Sequence, residues 1–329
     1  MSKAEIVEQG YATAGTSAGN VAVHPLDPED APIAAAMRAM VAPGKGARAG
    51  SDARGQYDAL LESVPSYDDV TFEVDTIGGV PGLWVHPAGW RSNEVIVHLH
   101  GGWFNFGSAQ AYRNLVGHIA GRAGARAFIP AYRLAPEHRF PAATDDVWAC
   151  YRGLAGRKDI RRIALTGDSA GGNLALVLAS RVIDQASPGH PVLAGVAAIS
   201  PVTDLTLSSG TYVTRAEADP LFTRPQVAEL VHSYLGDADA ESPLASPLYG
   251  RFSGLPPTRI HVGDDEVLLD DSLRYIERAL AAGVDARVDV WMGMPHGFPA
   301  SIGRLKAAAL ALDAIGAFLA DQLEAHANP

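Results

Sequence analysis

A chain of 329 residues with 47% hydrophobic side chains has ample material for a full core. Its formal charge of −11, from 26 basic against 37 acidic residues, argues against nucleic acid or an anionic membrane surface as partner and leaves an uncharged ligand open. The single cysteine, Cys150, excludes an intramolecular disulfide and thiolate metal sites, and reads as a small buried hydrophobe. The N-terminal stretch lacks the apolar core of a secretory signal, and no run of about 18 apolar residues is present, so a cytoplasmic chain without a membrane span is expected.

Residues 1–23 are small and polar and are expected to be loosely ordered. PEDAPIAAAMRAMVA (28–42) predicts a helix, with acids early and apolar positions at helical spacing. PGKGARAGSDARG then breaks the pattern, which leaves the segment as a flap over a site or as an appendage. Strands are predicted at 70–76, 81–86, 94–99, 126–131, 162–166, 193–199, 257–262 and 286–292. Helices are predicted at 110–124, 141–156, 170–186, 270–283 and 303–323. This alternation, with several strands almost wholly apolar, predicts an α/β fold with a largely parallel sheet covered on both faces. The first two strands are more polar and close together, which suits an antiparallel edge. Length alone would allow two domains, but α/β chains of this size often form one, and a single domain over 1–329 is expected. Residues 205–240 interrupt the alternation at a strand's C-terminal end, where open sheets bind ligands; they are read as a cap, together with 1–45.

Four pieces point to one site. Gly167-Asp168-Ser169-Ala170-Gly171 lies between a predicted strand and a predicted helix, the setting of a nucleophile elbow, where the glycines permit a tight turn and a close strand–helix crossing. A serine hydroxyl is a weak nucleophile at neutral pH and needs an adjacent base. His100-Gly101-Gly102-Trp103 closes strand 94–99, and the N–H groups of Gly101 and Gly102, with that of Ala170, would stabilise a developing oxyanion. His100 reads as a scaffold for that loop, and His98 as a hydrogen-bonded core histidine. His296, in the GMPHGFP loop between the last strand and the last helix, is the candidate base; His326 in the C-terminal tail is a poor one. The orienting acid belongs after strand 257–262, where Asp264, Asp265, Glu266, Asp270 and Asp271 all stand, the ones not used being solvated or capping the next helix. The histidines are not spaced as metal ligands, and the glycines match neither a phosphate loop nor a dinucleotide fingerprint, so no cofactor or metal is expected and a dehydrogenase is excluded.

Together these segments resemble the hormone-sensitive-lipase-like, bacterial family IV esterases of the α/β-hydrolase superfamily. The resemblance covers residues 60–323 and rests on six ordered motifs: HLHGGWFNFGS, AYRLAPEHRFPAATDD, GDSAGGNLA, SPVTDL, DEVLLDD and HGF. It implies an α/β-hydrolase fold with a helical cap, Ser169 as nucleophile and His296 as base. The family's Asp-x-Leu-x-Asp pattern corresponds to Glu266–Asp270, so Glu266, thirty residues before His296, is implied as the acid, with Asp265 the alternative if the register slips by one. Trp103 stands where the family commonly has a third glycine, and either shapes the pocket or packs beneath the loop. Phe104, Phe106, Tyr112 and Phe298 either wall the pocket or belong to the core. Arg133 and Glu137, and similarly Asp204, are implied to form a buried charge network behind the oxyanion loop. The expected activity is hydrolysis of a small, short-acyl carboxylic ester. A lactone, carbamate or amide hydrolase would use the same atoms, and a non-catalytic ligand receptor would usually have lost the base that this chain keeps. The acidic surface permits a homodimer without requiring one.

Overall fold

In a strand, successive side chains point to opposite faces, so a run that is apolar at every position needs cover on both sides. A computed structural model of the chain describes residues 19–47, 50–185 and 191–324. Its strands are β1 (Val21–His24), β2 (Val70–Ile77), β3 (Val80–Pro87), β4 (Arg91–Leu99), β5 (Ala125–Pro130), β6 (Arg162–Asp168), β7 (Val192–Ile199), β8 (Thr258–Gly263) and β9 (Ala286–Trp291). They form one sheet in the order β1-β9-β8-β7-β6-β4-β5-β3-β2. All pairs are parallel except β2–β3 and β3–β5, which places the antiparallel edge where the polar strands predicted it.

The helices are α1 (Asp30–Val41), α2 (Arg54–Glu62), α3 (Arg113–Ala123), α4 (Ala142–Ala155), α5 (Ala170–Asp184), α6 (Thr211–Thr214), α7 (Arg224–Leu235), α8 (Leu269–Ala281) and α9 (Lys306–Glu324). Side chains of α4, α5 and α8 join one apolar cluster on the sheet, and those of α3 and α9 join a second on the opposite face. β4 serves both, with Val95 and Val97 in the first and Ile96 in the second. Cys150 lies fully buried in the first cluster. No helix among the described residues is long and apolar enough to cross a membrane.

The N-terminal region departs from expectation. Residues 1–18 and 325–329, with His326, lie outside the described residues. Residues 21–24 are not loose: they add β1 to the edge of the sheet, paired with β9 from Val21↔Val288 to His24↔Trp291. His24 stacks on Trp291 with ring centroids 3.9 Å apart and bonds Asp289 at 2.8 Å. Four residues carry too little alternation to stand out in a sequence, and the partner strand supplies the missing information. The Asp30 carboxylate accepts the Lys306 and Ala307 N–H groups, each at 2.8 Å, and so places a negative charge at the N-terminus of α9. α2, unpredicted, follows the glycine-rich break and packs beside the loop after β4, with Ser108 donating to Asp58 at 2.9 Å.

The sheet brings the C-terminal ends of β4, β6, β7, β8 and β9 to one end, and His100, Ser169, Ser200, Glu266 and His296 all follow them. The tightest point is the crossing of β4 and α5. A Cβ on Gly171 would stand 1.9 Å from the Leu99 carbonyl oxygen, and one on Gly167 would stand 2.4 Å from the Gly171 oxygen. Both contacts are backbone, so no side-chain rotation relieves them. Gly171→Ala is expected to destabilise the protein by about 3 kcal/mol, through forced separation of β4 from α5. Chemical denaturation read by fluorescence checks it, and a midpoint equal to that of the parent chain would contradict the crossing described here.

Candidate active site

Ser169 occupies the β6–α5 junction with φ 54° and ψ −119°, a backbone state that a side-chain-bearing residue holds only when its surroundings enforce it. The enforcement is visible. The Ser169 N–H donates to the Ile199 oxygen at 2.8 Å, and its carbonyl accepts from Asn173 at 3.0 Å and Val202 at 3.3 Å. The hydroxyl has no hydrogen-bond partner among the described residues, His296 included. Contacts between a nucleophile and its base are often long until substrate binds.

His296 sits on the loop after β9 with its side chain about one-tenth exposed, and its Nδ1 faces Glu266 Oε2 at 2.7 Å. Glu266 is fully buried. Its other oxygen accepts from the Ser200 hydroxyl and from the Gly263 N–H, each at 2.6 Å, so the carboxylate is held from both sides. Burial would push the imidazole's proton affinity down. The Glu266 charge and hydrogen bond, with Asp219 and Asp168 nearby, outweigh that and hold His296 above the ordinary histidine value.

The remaining acids of the loop are neither solvated nor simple helix caps. Asp265 pairs with Arg38 of α1, and Asp264 with Arg215 at 2.9 Å. Asp270 accepts the Gly210 N–H at 2.9 Å. Asp271, buried, takes the Thr203 and Asp204 N–H groups at 2.8 and 3.0 Å and the Ser209 hydroxyl at 2.5 Å. Each ties the 203–219 segment or α1 to the sheet. Arg38 also reaches the Ala218 and Gly293 oxygens at 2.5 and 3.4 Å, and Lys45 reaches the Ala216 oxygen at 2.6 Å, so α1 and the turn after it lie on that segment rather than hanging free.

The loop after β4 corrects one expectation. The Gly101 N–H does not face an open site; it donates to Asp168 Oδ1 at 3.0 Å. A Cβ there would stand 2.2 Å from the same carboxylate, which is why this glycine is needed. The second Asp168 oxygen accepts from Tyr112 at 2.9 Å, and Tyr112 accepts from Tyr57 at 2.8 Å, so both phenols keep their protons in a buried chain. The N–H groups of Gly102, Trp103 and Ala170 have no acceptor among the described residues. His100 is buried, stacks on Tyr132 at 4.2 Å and bonds the Gly101 oxygen at 2.9 Å; burial lowers its pKa to about 4, which suits a neutral scaffold. His98 is buried too, but not satisfied: neither ring nitrogen has a hydrogen-bond partner, and Nε2 stands 3.6 Å from Asp168.

Trp103 and Phe104 both have positive φ, at 52° and 61°. Trp103 is buried and meets Phe222 edge-on with centroids 5.4 Å apart, and Phe222 meets His296 edge-on at 5.0 Å. Phe104 stacks on Tyr234 at 3.8 Å, and Phe298 packs against Trp291 beneath α1. With Tyr112 committed to Asp168, these three have the surroundings of core residues; Phe106, nearly buried, leans on Tyr57. Arg133 and Glu137 depart from the expected buried network, because both are exposed. Arg133 makes a forked pair with Asp146 at 2.7 to 3.1 Å, and Glu137 pairs with Arg54 at 2.7 Å. Arg54 does the bracing, donating to the Asn105 and Ala135 oxygens at 2.8 and 2.7 Å. Asp204 is buried, but pairs with Arg274 at 2.9 Å away from that loop.

Sequence reasoning missed Phe222, Asn105, Ser200 and Asp219. Asn105 joins the loop to α7 by accepting from Ser233 at 2.7 Å while donating to the Trp103 oxygen at 2.6 Å. Asn105 and Ser200 stand inside quoted motifs, HLHGGWFNFGS and SPVTDL, that state no role for them, and Phe222 and Asp219 belong to none, so only the folded chain shows what they do near the site. Among the described residues no group of three His, Cys, Asp or Glu side chains is arranged to hold a metal ion.

Residues 96–300 match the α/β hydrolase fold family. The chain is 34% identical to an acetyl-hydrolase of Streptomyces hygroscopicus over 264 residues, covering 80% of this chain and 87% of that protein. It is 35% identical to an esterase of Acinetobacter venetianus, covering 73% of this chain and 79% of that one. Among solved structures, an esterase from the bacterial hormone-sensitive lipase family superposes with a TM-score of 0.83 at 37% identity, over 90% of this chain and 99% of that one.

Two outcomes follow from this geometry if Glu266 and His296 work as a pair. Glu266→Gln should lower kcat by about 10³–10⁴-fold, and Asp265→Asn far less. Steady-state hydrolysis of a chromogenic ester reads both, and the reverse ranking would move the acid by one position. A base must be neutral to accept a proton, and His296 is held above its ordinary value of 6.5. The acidic limb of kcat/KM should therefore fall away as pH drops through a point above about 6.5, not below it.

Proposed function

The chain belongs to the α/β hydrolase fold family, among the bacterial hormone-sensitive-lipase-type esterases, and on that premise we propose that it is a serine carboxylesterase whose nucleophile, base and acid are Ser169, His296 and Glu266. The observation that carries this reading is the buried Glu266–His296 contact of 2.7 Å at the same end of the sheet as the strained Ser169 turn.

The Glu266 carboxylate fixes the imidazole with its proton on Nδ1, which leaves Nε2 to take the Ser169 proton as the hydroxyl attacks an ester carbonyl. The N–H groups of Gly102, Trp103 and Ala170 receive the oxyanion of the tetrahedral intermediate; Gly101 contributes by anchoring the loop to Asp168. The imidazolium then protonates the departing alcohol, leaving an acyl-enzyme. A water molecule gives its proton to His296, attacks the acyl carbon and releases the acid, and Ser169 recovers its proton. The negative charges around His296 favour the imidazolium at both steps. No cofactor takes part in these steps. Trp103 and Phe222 crowd the space beside the base, which favours short acyl chains, and 205–240 with the α1 segment forms the cap.

Ser169→Ala should reduce hydrolysis of p-nitrophenyl acetate and butyrate by about 10⁵-fold or more without altering the unfolding transition. Undiminished turnover would sink the nucleophile assignment. An acyl series from acetate to decanoate should show the rate falling with length, and lactone, carbamate and anilide substrates run beside it would reveal any other preferred bond.

A further inference from the structure

Asp219 is fully buried on the segment between α6 and α7, outside every motif discussed above. Its Oδ1 accepts the N–H groups of Leu221 and Phe222 at 2.8 and 2.9 Å, and its Oδ2 accepts the N–H of Val267 at 2.9 Å. Among the described residues it makes no ion pair. One carboxylate therefore clamps two segments that carry different parts of the site. Phe222 holds its ring edge-on to His296 at 5.0 Å, and Val267 follows Glu266, whose oxygen stands 2.7 Å from the same imidazole. A turn needs only a neutral acceptor such as Ser or Asn to satisfy two N–H groups. A third N–H from another loop, and a negative charge buried beside the base, ask for a carboxylate.

We infer that Asp219 is a positioning residue for the ester hydrolysis proposed above: it locks the Phe222 turn to the Glu266 loop and supplies a second anion behind His296. The inference rests on that reading of the site, but not on which ester is the substrate. The charged groups facing the imidazole are Glu266 from the loop after β8, Asp168 from the end of β6 and Asp219 from the cap segment. The neighbouring Asp265 and Asp264 are each paired, with Arg38 of α1 and with Arg215 of the cap. The anion contributed from the cap side is thus Asp219, which has no ion pair of its own although the Arg38 guanidinium lies within its field.

Asp219→Asn tests this because it keeps the size and removes both the charge and one acceptor. An amide that still accepts from Leu221 and Phe222 turns its NH2 group toward the Val267 N–H, donor against donor, and the clamp opens on the Glu266 side. The expected result is kcat lower by about 10- to 100-fold with KM changed much less, from a misplaced Glu266–His296 pair. The acidic limb of kcat/KM should also move to lower pH by about half a unit or more, since the imidazolium loses a neighbouring anion. Asp219→Glu keeps the charge one methylene away and should lower kcat while leaving the limb near its original position. Unchanged kcat and limb in Asp219→Asn would overturn the inference, and so would a lowered kcat with an unmoved limb, which marks a merely structural role. If Asp219→Asn does not fold, Asp219→Glu decides alone: parental kcat overturns the positioning role. Ser169→Ala, assayed beside them, separates this from failure of the esterase reading, because its activity does not depend on what Asp219 does.

Discussion

The site rests on a backbone contact with no slack. α5 starts so close to the end of β4 that a single methyl at Gly171 would collide with the Leu99 carbonyl. That proximity fixes where Ser169 stands relative to the His100–Trp103 loop, because Leu99 runs directly into it. It also brings Asp168 within reach of the Gly101 N–H, so the residue before the serine anchors the loop that faces the serine. The positive φ of Ser169 follows from the same geometry: the strand must reverse into the helix within one residue, and hydrogen bonds from Asn173 and Val202 and to Ile199 keep it there. Burial of both sheet faces supplies the stability that holds such strain.

Carboxylates organise the rest. Asp30 holds the start of α9, Asp265 holds Arg38, Asp271 holds the Thr203–Ser209 turn, and Asp219 joins the Phe222 turn to the loop of Glu266. Most of these oxygens accept backbone N–H groups. A backbone donor cannot move away without its chain, so such bonds fix loop positions more firmly than exposed ion pairs do. The acidic balance of the chain is thus partly internal, a set of ties between the covering segment and the strand ends.

Much of this architecture was legible in the sequence. Six of the eight predicted strands announced themselves by apolar runs, because a parallel strand covered on both faces has almost no polar positions, and the two edge strands by their alternation. Ser169, His296 and the Glu266 loop stood out because strand, turn and helix signals flank each of them in a recognisable order. The losses have physical causes. β1 is four residues long and exists through its pairing with β9. α2 follows a glycine-rich break that masks it. The donor role expected of Gly101 failed because nothing in His-Gly-Gly-Trp states which N–H turns inward toward Asp168 and which outward. Arg133 and Glu137 were expected to share a buried network, yet both are exposed and each has its own partner, Asp146 and Arg54.

The sequence by itself determined the fold class, the order of strands and helices, the serine elbow and the histidine loop, because these depend on local periodicity and on glycine placed where a side chain cannot fit. The tertiary structure decided what the sequence left open: that Glu266 and not Asp265 meets His296, which glycine faces Asp168, and that Phe222 and Asp219 stand beside the base. Those are matters of a few ångströms between segments distant in sequence. Carboxylates in one loop are chemically alike until the packing of α1, the cap segment and the strand ends gives each a different partner.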